Sequence, residues 1–441
     1  MRSFALRVRL SCAAFAAAIL AVCPAWASID IGEHFAKPES WEESAVDFTV
    51  RYQKDGFKFA SQKRDIVNCL VRGAATWCGR EVWEAKVYYA DNKPVRVEMS
   101  LYNHGDDKKG EGLSMSAFKD MEKAIGEKVD PSSKTLPTAK KREIKGGYQF
   151  VRKWIKTDPN VELTWGVNGK GSKDAQISYV RAVLTPKGKT GPVGATKSVA
   201  GVVSITKAKS NVRKSPEGDV MIANVPMVDQ GQKGYCAVAV SERVLRYFGY
   251  PIDEHELAQL AGSSGQNGTS IDSMMSTVRA VGSKCRLGYN EIVFFGGDYK
   301  AYVKELDKYN KAAKAEKEPQ LSMDRFLHGN SLDVAAMQEA MRPQVIKRMR
   351  VKDGQYKKFL ESIKKQIDLG NPVFWGVTLG RYPEPEIPQA KGGHMRLIIG
   401  YNKQTHEILY SDSWGAGHEC KRMPEDWAFA ITDAAFFLRP L

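Results

Sequence analysis

The sequence predicts an α+β protein with two folded domains, and three observations support this. Runs of β-branched and aromatic residues alternate with polar positions through residues 28–185, as in an antiparallel sheet. Beyond residue 216, apolar residues at helical spacing alternate with short buried runs typical of strands. Between them, residues 186–215 combine Gly, Pro and small residues with scattered lysines, which is typical of a linker. With 441 residues, 43% of them hydrophobic, the chain can bury a core in each domain.

The first 27 residues have the pattern of a secretory signal peptide. Three arginines precede an apolar run from Leu10 to Val22, and Ala25-Trp26-Ala27 provides a small-x-small cleavage site. We therefore expect cleavage after Ala27 and an exported protein, either secreted or periplasmic. The alternative is lipoprotein acylation at Cys23, for which Val22 is larger than the usual preceding residue. No later apolar stretch reaches the roughly 20 residues of a transmembrane helix.

Residues 28–185 predict an accessory α+β domain built mainly of strands. One helix is expected over residues 116–125, where apolar residues recur at helical spacing. No set of side chains here has the pattern of a catalytic site, so we expect a binding or propeptide-like module. The expected strands are Val46–Arg51, Phe57–Phe59, Ile66–Val71, Val82–Tyr89, Val95–Leu101, Tyr148–Ile155, Val161–Val167 and Ile177–Leu184.

The second domain, residues 216–441, alternates helices and strands. Helical spacing predicts a helix that begins at Cys236 and others at residues 253–261, after the cap Thr269-Ser270, and at 356–367. The charged segment 299–318 is interpreted as a solvated helical insertion. An apolar run at residues 373–377 predicts a buried strand, and a Pro-rich loop connects it to His394.

The start of a helix at Cys236 is the first sign of a reactive thiol. Backbone N–H groups and the helix dipole stabilise a thiolate at this position and lower the pKa of the thiol. Gly231 and Gly234 make the preceding loop conformationally flexible. A lone cysteine is more often a small buried hydrophobic residue, so a catalytic role depends on a partner.

His394 and Asp412 provide that partner through a predicted hairpin. Two short apolar runs flank a polar turn, so His394 is expected on one strand and Asp412 at the end of the next. Pairing of the strands brings an imidazole and a carboxylate within reach. The structural alternative is a half-buried strand histidine and a turn-capping aspartate; His406, in the turn, and His418, in a Gly-containing loop, fit such a structural role better.

The motifs Gln230, Cys236, Gly393-His394 and Asp412-Ser413-Trp414-Gly415 resemble those of the papain-like cysteine peptidases, and within them the bacteriocin-leader (double-glycine) peptidases. The resemblance covers the chain from about residue 215 to its end. It implies a Cys-bearing helix packed on an antiparallel His-bearing sheet. It also implies Gln230 as oxyanion donor, Cys236 as nucleophile, His394 as general base and then acid, and Asp412 as orienting residue.

Two positions depart from papain itself. Ala-Val-Ala follows the cysteine in place of the usual Trp, and Asp412 stands where papain has Asn. The aspartate is similar to the leader-peptidase branch, although no transporter segment accompanies it in this sequence.

Five cysteines follow residue 27, and an odd number in an oxidising compartment indicates disulfides plus one free thiol. Cys69 with Cys78, and Cys285 with Cys420, are the candidate disulfides, which leaves Cys236 free. Other pairings stay open, because sequence alone does not choose among them.

The formal net charge of +15 predicts association with anionic surfaces, such as cell-envelope polymers. The sequence has no zinc-ligand spacing, no Gly-rich phosphate loop and no nucleic-acid fold signature. We therefore expect no metal, no cofactor and no specific nucleic acid.

Together these features predict an exported thiol hydrolase that cleaves amide bonds of a peptide or protein substrate. Two alternatives remain. The same site also suits a cell-wall peptide amidase or an acyltransferase, and a degenerate site would leave an inactive envelope-polymer-binding protein.

Overall fold

The computed structural model describes residues 29–104, 107, 112–144, 147–169, 175–187, 205–231, 235–250, 257, 271–329, 331–389 and 391–441. The predicted signal peptide and the cap Thr269-Ser270 lie outside these residues, as does the predicted helix at 253–261 apart from Leu257. None of the helices in the described part combines the length and the apolar character needed to cross a bilayer.

An eight-stranded antiparallel sheet forms the N-terminal unit. Its long central strands are buried along most of their length, and the helix Met115–Val129 packs in the same core. Ser114 caps this helix by accepting a hydrogen bond from the Ala117 amide. A small three-stranded sheet, Ile29–Asp30, Ala75–Trp77 and Arg80–Val82, packs beside it. In spatial order, the strands of the large sheet are Lys58–Phe59, Ile66–Cys69, Glu84–Ala90, Lys93–Asn103, Gln176–Thr185, Asn160–Asn168, Gly147–Trp154 and Lys140–Ile144.

One predicted strand is wrong: residues 46–51 belong to the helix Ala45–Tyr52. Ser44 caps this helix through the Asp47 amide, and Ala45 and Phe48 bury one face of it. The cap outweighs the β-branched composition of the segment. The N-terminal unit also contains the helix Ile31–Phe35 and the 3-10 turns Pro38–Trp41 and Gln53–Asp55.

The C-terminal unit is a second antiparallel sheet with helices packed on it. Its strand Gly392–Asn402 pairs with three others, at residues 219–222, 373–379 and 407–411. Trp375 is fully buried, and Phe374 stacks on Phe436 with ring centroids 4.7 Å apart. The strands are Val212–Lys214, Asp219–Ile222, Leu287–Phe294, Val373–Leu379, Gly392–Asn402, Glu407–Ser411, Lys421–Pro424 and Thr432–Pro440. The helices that accompany this sheet are Ile205–Lys209, Cys236–Tyr247, Ile271–Lys284, Gln355–Asp368 and Glu425–Ile431.

Residues 299–351 build a small helical unit with its own core. The helix Tyr299–Ala315 buries Leu306, Tyr309 and Ala313, so the insertion interpreted as solvated has one buried face. Its other elements are Met323–Phe326 (3-10), Leu327–His328, Ser331–Leu332, Val334–Ala340 and Pro343–Val351.

The predicted linker 186–215 does not extend to residue 215. Residues 205–209 are helical, and Val212–Lys214 is an edge strand paired with residues 220–222 of the second sheet. Ala208 is fully buried beside Gly370, because apolar residues scattered among the lysines find a place in the core. Residues 188–204 lie outside the described part of the chain.

The predicted disulfides are not formed. All five described cysteines are free. Cys69 is buried and its thiol donates to the Asp55 carbonyl at 3.3 Å, whereas the Sγ of Cys420 lies 3.7 Å from the Met221 Sδ. Cys69 lies on a strand of the large sheet and Cys78 in the turn between two strands of the small sheet, so their closeness in sequence does not bring the two thiols together.

The N-terminal unit contacts the loop that precedes the Cys236 helix. Lys58 Nζ lies 3.3 Å from an Asp229 carboxylate oxygen, and the Tyr235 hydroxyl donates to Asn103 Oδ1 at 3.0 Å. The Gln62 amide donates to Glu419 at 2.9 Å. The N-terminal unit therefore contacts two loops of the C-terminal unit.

Candidate active site

Cys236 is the first residue of its helix, as the sequence predicts, and its side chain is partly buried. Burial favours the neutral thiol, but a hydrogen bond to His394 and the charge of that imidazole lower the pKa of Cys236. The backbone amides of Met395 and Ala237 act in the same direction. The thiol therefore has the environment of a nucleophile.

The structure brings His394 and Asp412 together across the predicted hairpin. His394 Nε2 lies 2.6 Å from Asp412 Oδ1, and both side chains are fully buried. Because Nε2 is occupied by the carboxylate, Nδ1 is the ring nitrogen left for the Cys236 thiol. Burial alone lowers the pKa of His394, but its hydrogen bonds to Asp412 and Cys236 outweigh burial and raise that pKa. A lowered thiol pKa beside a raised imidazole pKa favours a thiolate–imidazolium pair.

Trp414 covers the histidine. Its ring stacks on the imidazole with centroids 4.3 Å apart and an interplanar angle of 5°. The next residue, Gly415, has φ +82°, and a Cβ there would lie 2.6 Å from an Asp229 carboxylate oxygen. Only glycine lets the Trp414 loop approach the Asp229 loop this closely.

Arg243 connects the Cys236 helix to the Asp412 loop. The side chain is buried and donates to the Asp412 carbonyl at 2.9 Å and to Ser411 Oγ at 2.5 Å. Its Nε donates to the Pro226 carbonyl at 2.7 Å. Burial lowers the pKa of Arg243 to about 10, so it stays charged at neutral pH. Arg243 therefore holds the Cys236 helix against the loop that carries Asp412.

A second buried arginine contacts Asp412 directly. Arg396 Nε lies 3.1 Å from Oδ2 of Asp412, and its Nη1 lies 2.9 Å from Glu384 Oε2. Burial raises the pKa of Asp412, but the charge of Arg396 and the hydrogen bond from His394 hold it below its ordinary value. Asp412 is therefore an ionised acceptor.

Gln230 lies on the loop before Cys236, next to the Asp412 motif. The side chain is buried, and its backbone amide donates to the Ser413 carbonyl at 2.8 Å. The two remaining predicted histidines lie apart from the thiol: His406 is an exposed turn residue, and His418 contacts the edge of Trp414. Within the described residues, no cluster of three or more His, Cys, Asp or Glu side chains is arranged for a metal ion.

Sequence reasoning did not identify Arg243 or Arg396. Both positions have a feature in the sequence that could have indicated a role. Arg243 lies among apolar residues on a buried helix, two turns after Cys236, and Arg396 lies two residues after His394, which places both on one face of a strand. A charge on a face that is otherwise buried indicates a specific partner.

Residues 310–432 match the family model described as the Peptidase_C39 like family. This span includes His394 and Asp412 and begins after Gln230 and Cys236. Over these residues the chain is similar to a cysteine peptidase family of the C39 branch.

Two solved structures are similar at a low level. One is the peptidase domain of Streptococcus ComA, a bi-functional ABC transporter involved in a quorum sensing pathway; it is 12% identical with a TM-score of 0.26 over 49% of this chain and 100% of that chain. The other is xylellain, a cysteine protease from Xylella fastidiosa, 12% identical with a TM-score of 0.27 over 53% of this chain and 88% of that chain. A search of curated proteins found no match. At these scores the similarities add nothing to the geometry.

Proposed function

We propose that the protein hydrolyses peptide bonds with Cys236 as nucleophile, His394 as base and acid, Asp412 as orienting residue and Gln230 as oxyanion donor. The observation that carries the proposal is the buried 2.6 Å contact between His394 Nε2 and Asp412, which leaves Nδ1 for a thiol of lowered pKa. Nucleophile, base and orienting group thus occur in the order that thiol catalysis needs.

The mechanism follows from this arrangement. The Cys236 thiolate attacks the carbonyl carbon, and the oxyanion accepts hydrogen bonds from the Gln230 amide and the Cys236 backbone N–H. The proton on His394 Nδ1 passes to the leaving amine, which departs and leaves a thioester. Water then attacks the thioester with His394 as base, which releases the acid and regenerates the pair.

The test uses the chain from residue 28 and a thiol-directed peptidyl electrophile. We expect one label, mapped to Cys236, and slower labelling in His394→Ala. Cys285→Ala is the matched control, because this cysteine is also partly buried and should not change the label. Labelling of another cysteine at the parent rate overturns the assignment.

Product analysis with an added amine acceptor separates hydrolysis from acyl transfer. Release of the free acid alone supports a peptidase, and an amide of the added amine supports a transferase. Export after cleavage at Ala27 remains a prediction from the sequence, and N-terminal sequencing of the protein recovered outside the cytoplasm tests it.

A further inference from the structure

Arg396 and His394 share one carboxylate. They lie two residues apart on the strand Gly392–Asn402, so their side chains point to the same face. His394 Nε2 lies 2.6 Å from Asp412 Oδ1, and Arg396 Nε lies 3.2 Å from that same oxygen and 3.1 Å from Oδ2. All three side chains have 0% exposure, so water does not screen their charges.

The positive charge of Arg396 is balanced by a second carboxylate besides Asp412. Its Nη1 lies 2.9 Å from Glu384, which also accepts a hydrogen bond from the Tyr410 hydroxyl at 2.5 Å. The guanidinium lies 4.7 Å from the centroid of the Tyr410 ring. The other titratable groups that act on Asp412 are Arg243, Lys421, His418 and Tyr410, together with the Cys236–His394 pair itself.

We propose that Arg396 is a positioning residue that cancels the charge of Asp412, so that His394 faces a partner close to electrical neutrality. The proposal rests on the catalytic roles given above. A buried carboxylate without a cation would hold the imidazolium so strongly that its proton would pass less readily to the leaving amine. With Arg396 in place, Asp412 still orients the ring, much as a neutral amide does.

This arrangement gives an unusual prediction for a double-mutant cycle. Asp412→Asn removes the anion but leaves the Arg396 cation near the imidazolium, so kcat/KM should fall about 10²-fold or more. Adding Arg396→Gln to Asp412→Asn removes the excess cation, and activity should recover at least tenfold. The coupling between the two positions is the measured quantity.

A second readout does not need activity. In the Cys236→Ala background, the titration of His394 is followed by NMR of labelled histidine. Arg396→Gln should raise the pKa of His394 by about one unit, because the nearest cation no longer offsets the charge of Asp412. Asp412→Asn should lower that pKa, and the double variant should return close to the parent.

The control is Arg350→Gln, which removes another buried arginine from an ion pair, here with Glu305. It should lower stability without moving the His394 titration. If Arg396→Gln does not fold, the same cycle is measured in a Glu384→Gln background. This second substitution removes the buried carboxylate that loss of Arg396 would leave unpaired.

An unchanged or lowered His394 pKa in Arg396→Gln overturns the proposal, as does a double variant no more active than Asp412→Asn. Failure of the proposed function has a different signature. Cys236→Ala would then retain activity, while the His394 titration would still report on Arg396.

Discussion

The hydroxyl of Tyr235, the residue before the nucleophile, donates a hydrogen bond to Asn103 of the other sheet at 3.0 Å. Both side chains are buried, although they lie far apart in the sequence. At the other end of the same loop, Asp229 contacts Lys58. The N-terminal unit therefore holds the segment between Gln230 and Cys236 at both ends.

Asn103→Ala should lower kcat severalfold with little change in KM, because the contact positions the nucleophile and does not touch substrate. Tyr235→Phe should have a similar effect, and the two changes together should not add. Tyr247→Phe is the control: it removes a buried hydroxyl, bonded to the Gly370 carbonyl, at the far end of the same helix. Equal losses of kcat in all three single variants would mean that only stability had changed.

Substitutions at the four predicted site residues should lower turnover to different extents. Cys236→Ala and His394→Ala should reduce turnover to background, whereas Gln230→Ala removes one oxyanion donor and should cost roughly 10² to 10³ in kcat. His406→Ala should retain full activity, since its side chain is 78% exposed in a turn. Loss of activity in His406→Ala, with His394→Ala active, would contradict the assignment.

Activity should follow a broad bell-shaped pH profile. The thiolate forms as pH rises through the lowered pKa of Cys236, and the imidazolium is lost as pH rises through the raised pKa of His394. The active pair exists between these two values, so the plateau should be wider than unperturbed groups allow. The measurement is kcat/KM against pH. A rise in activity only near the ordinary pKa of a thiol would show that no such pair forms.

Trp414→Ala should move the alkaline limb of that profile to lower pH. The indole keeps water from the His394–Asp412 hydrogen bond, and solvation would weaken the support for the imidazolium. Trp414→Phe keeps an aromatic face over the ring and should shift the limb less. An alkaline limb that stays in place in Trp414→Ala would show that the stack has no electrostatic role.

Titration of the chain from residue 28 in denaturant, without reductant, should give five thiols. This differs from the single thiol that an odd cysteine count suggests. A count of one or three in protein prepared under oxidising conditions would show that disulfides form. Mass mapping of the cysteines would then identify the pairs.

Local patterns predicted much of this molecule. Period-two alternation gave most N-terminal strands within a few residues, and the polar turn at 402–406 predicted the hairpin that joins His394 and Asp412. The failure at residues 46–51 has a local cause, because the Ser44 cap decided a segment whose composition favours a strand.

The features of the structure that could not be predicted from the sequence depend on contacts between distant residues. No periodic pattern in the sequence indicates that Asp412 is shared by two basic side chains. The same is true of the hydrogen bond between Asn103 and Tyr235. The apolar residues around Arg396 indicate that it is buried, but its contacts with Asp412 and Glu384 follow from packing between distant segments, which no local pattern specifies.

Arg243 makes burial of the Cys236 helix dependent on a distant part of the chain. Three of its four acceptors lie 168 to 170 residues further along the chain, so the Cys236 helix acquires these buried counterparts only after most of the C-terminal unit has been synthesised. Until then the guanidinium has only the Pro226 carbonyl among these acceptors, so burial of the helix is unfavourable. A nascent or truncated chain therefore carries a thiol without a base. Burial of the Arg243 guanidinium and completion of the Cys236, His394 and Asp412 set therefore depend on the same late part of the chain.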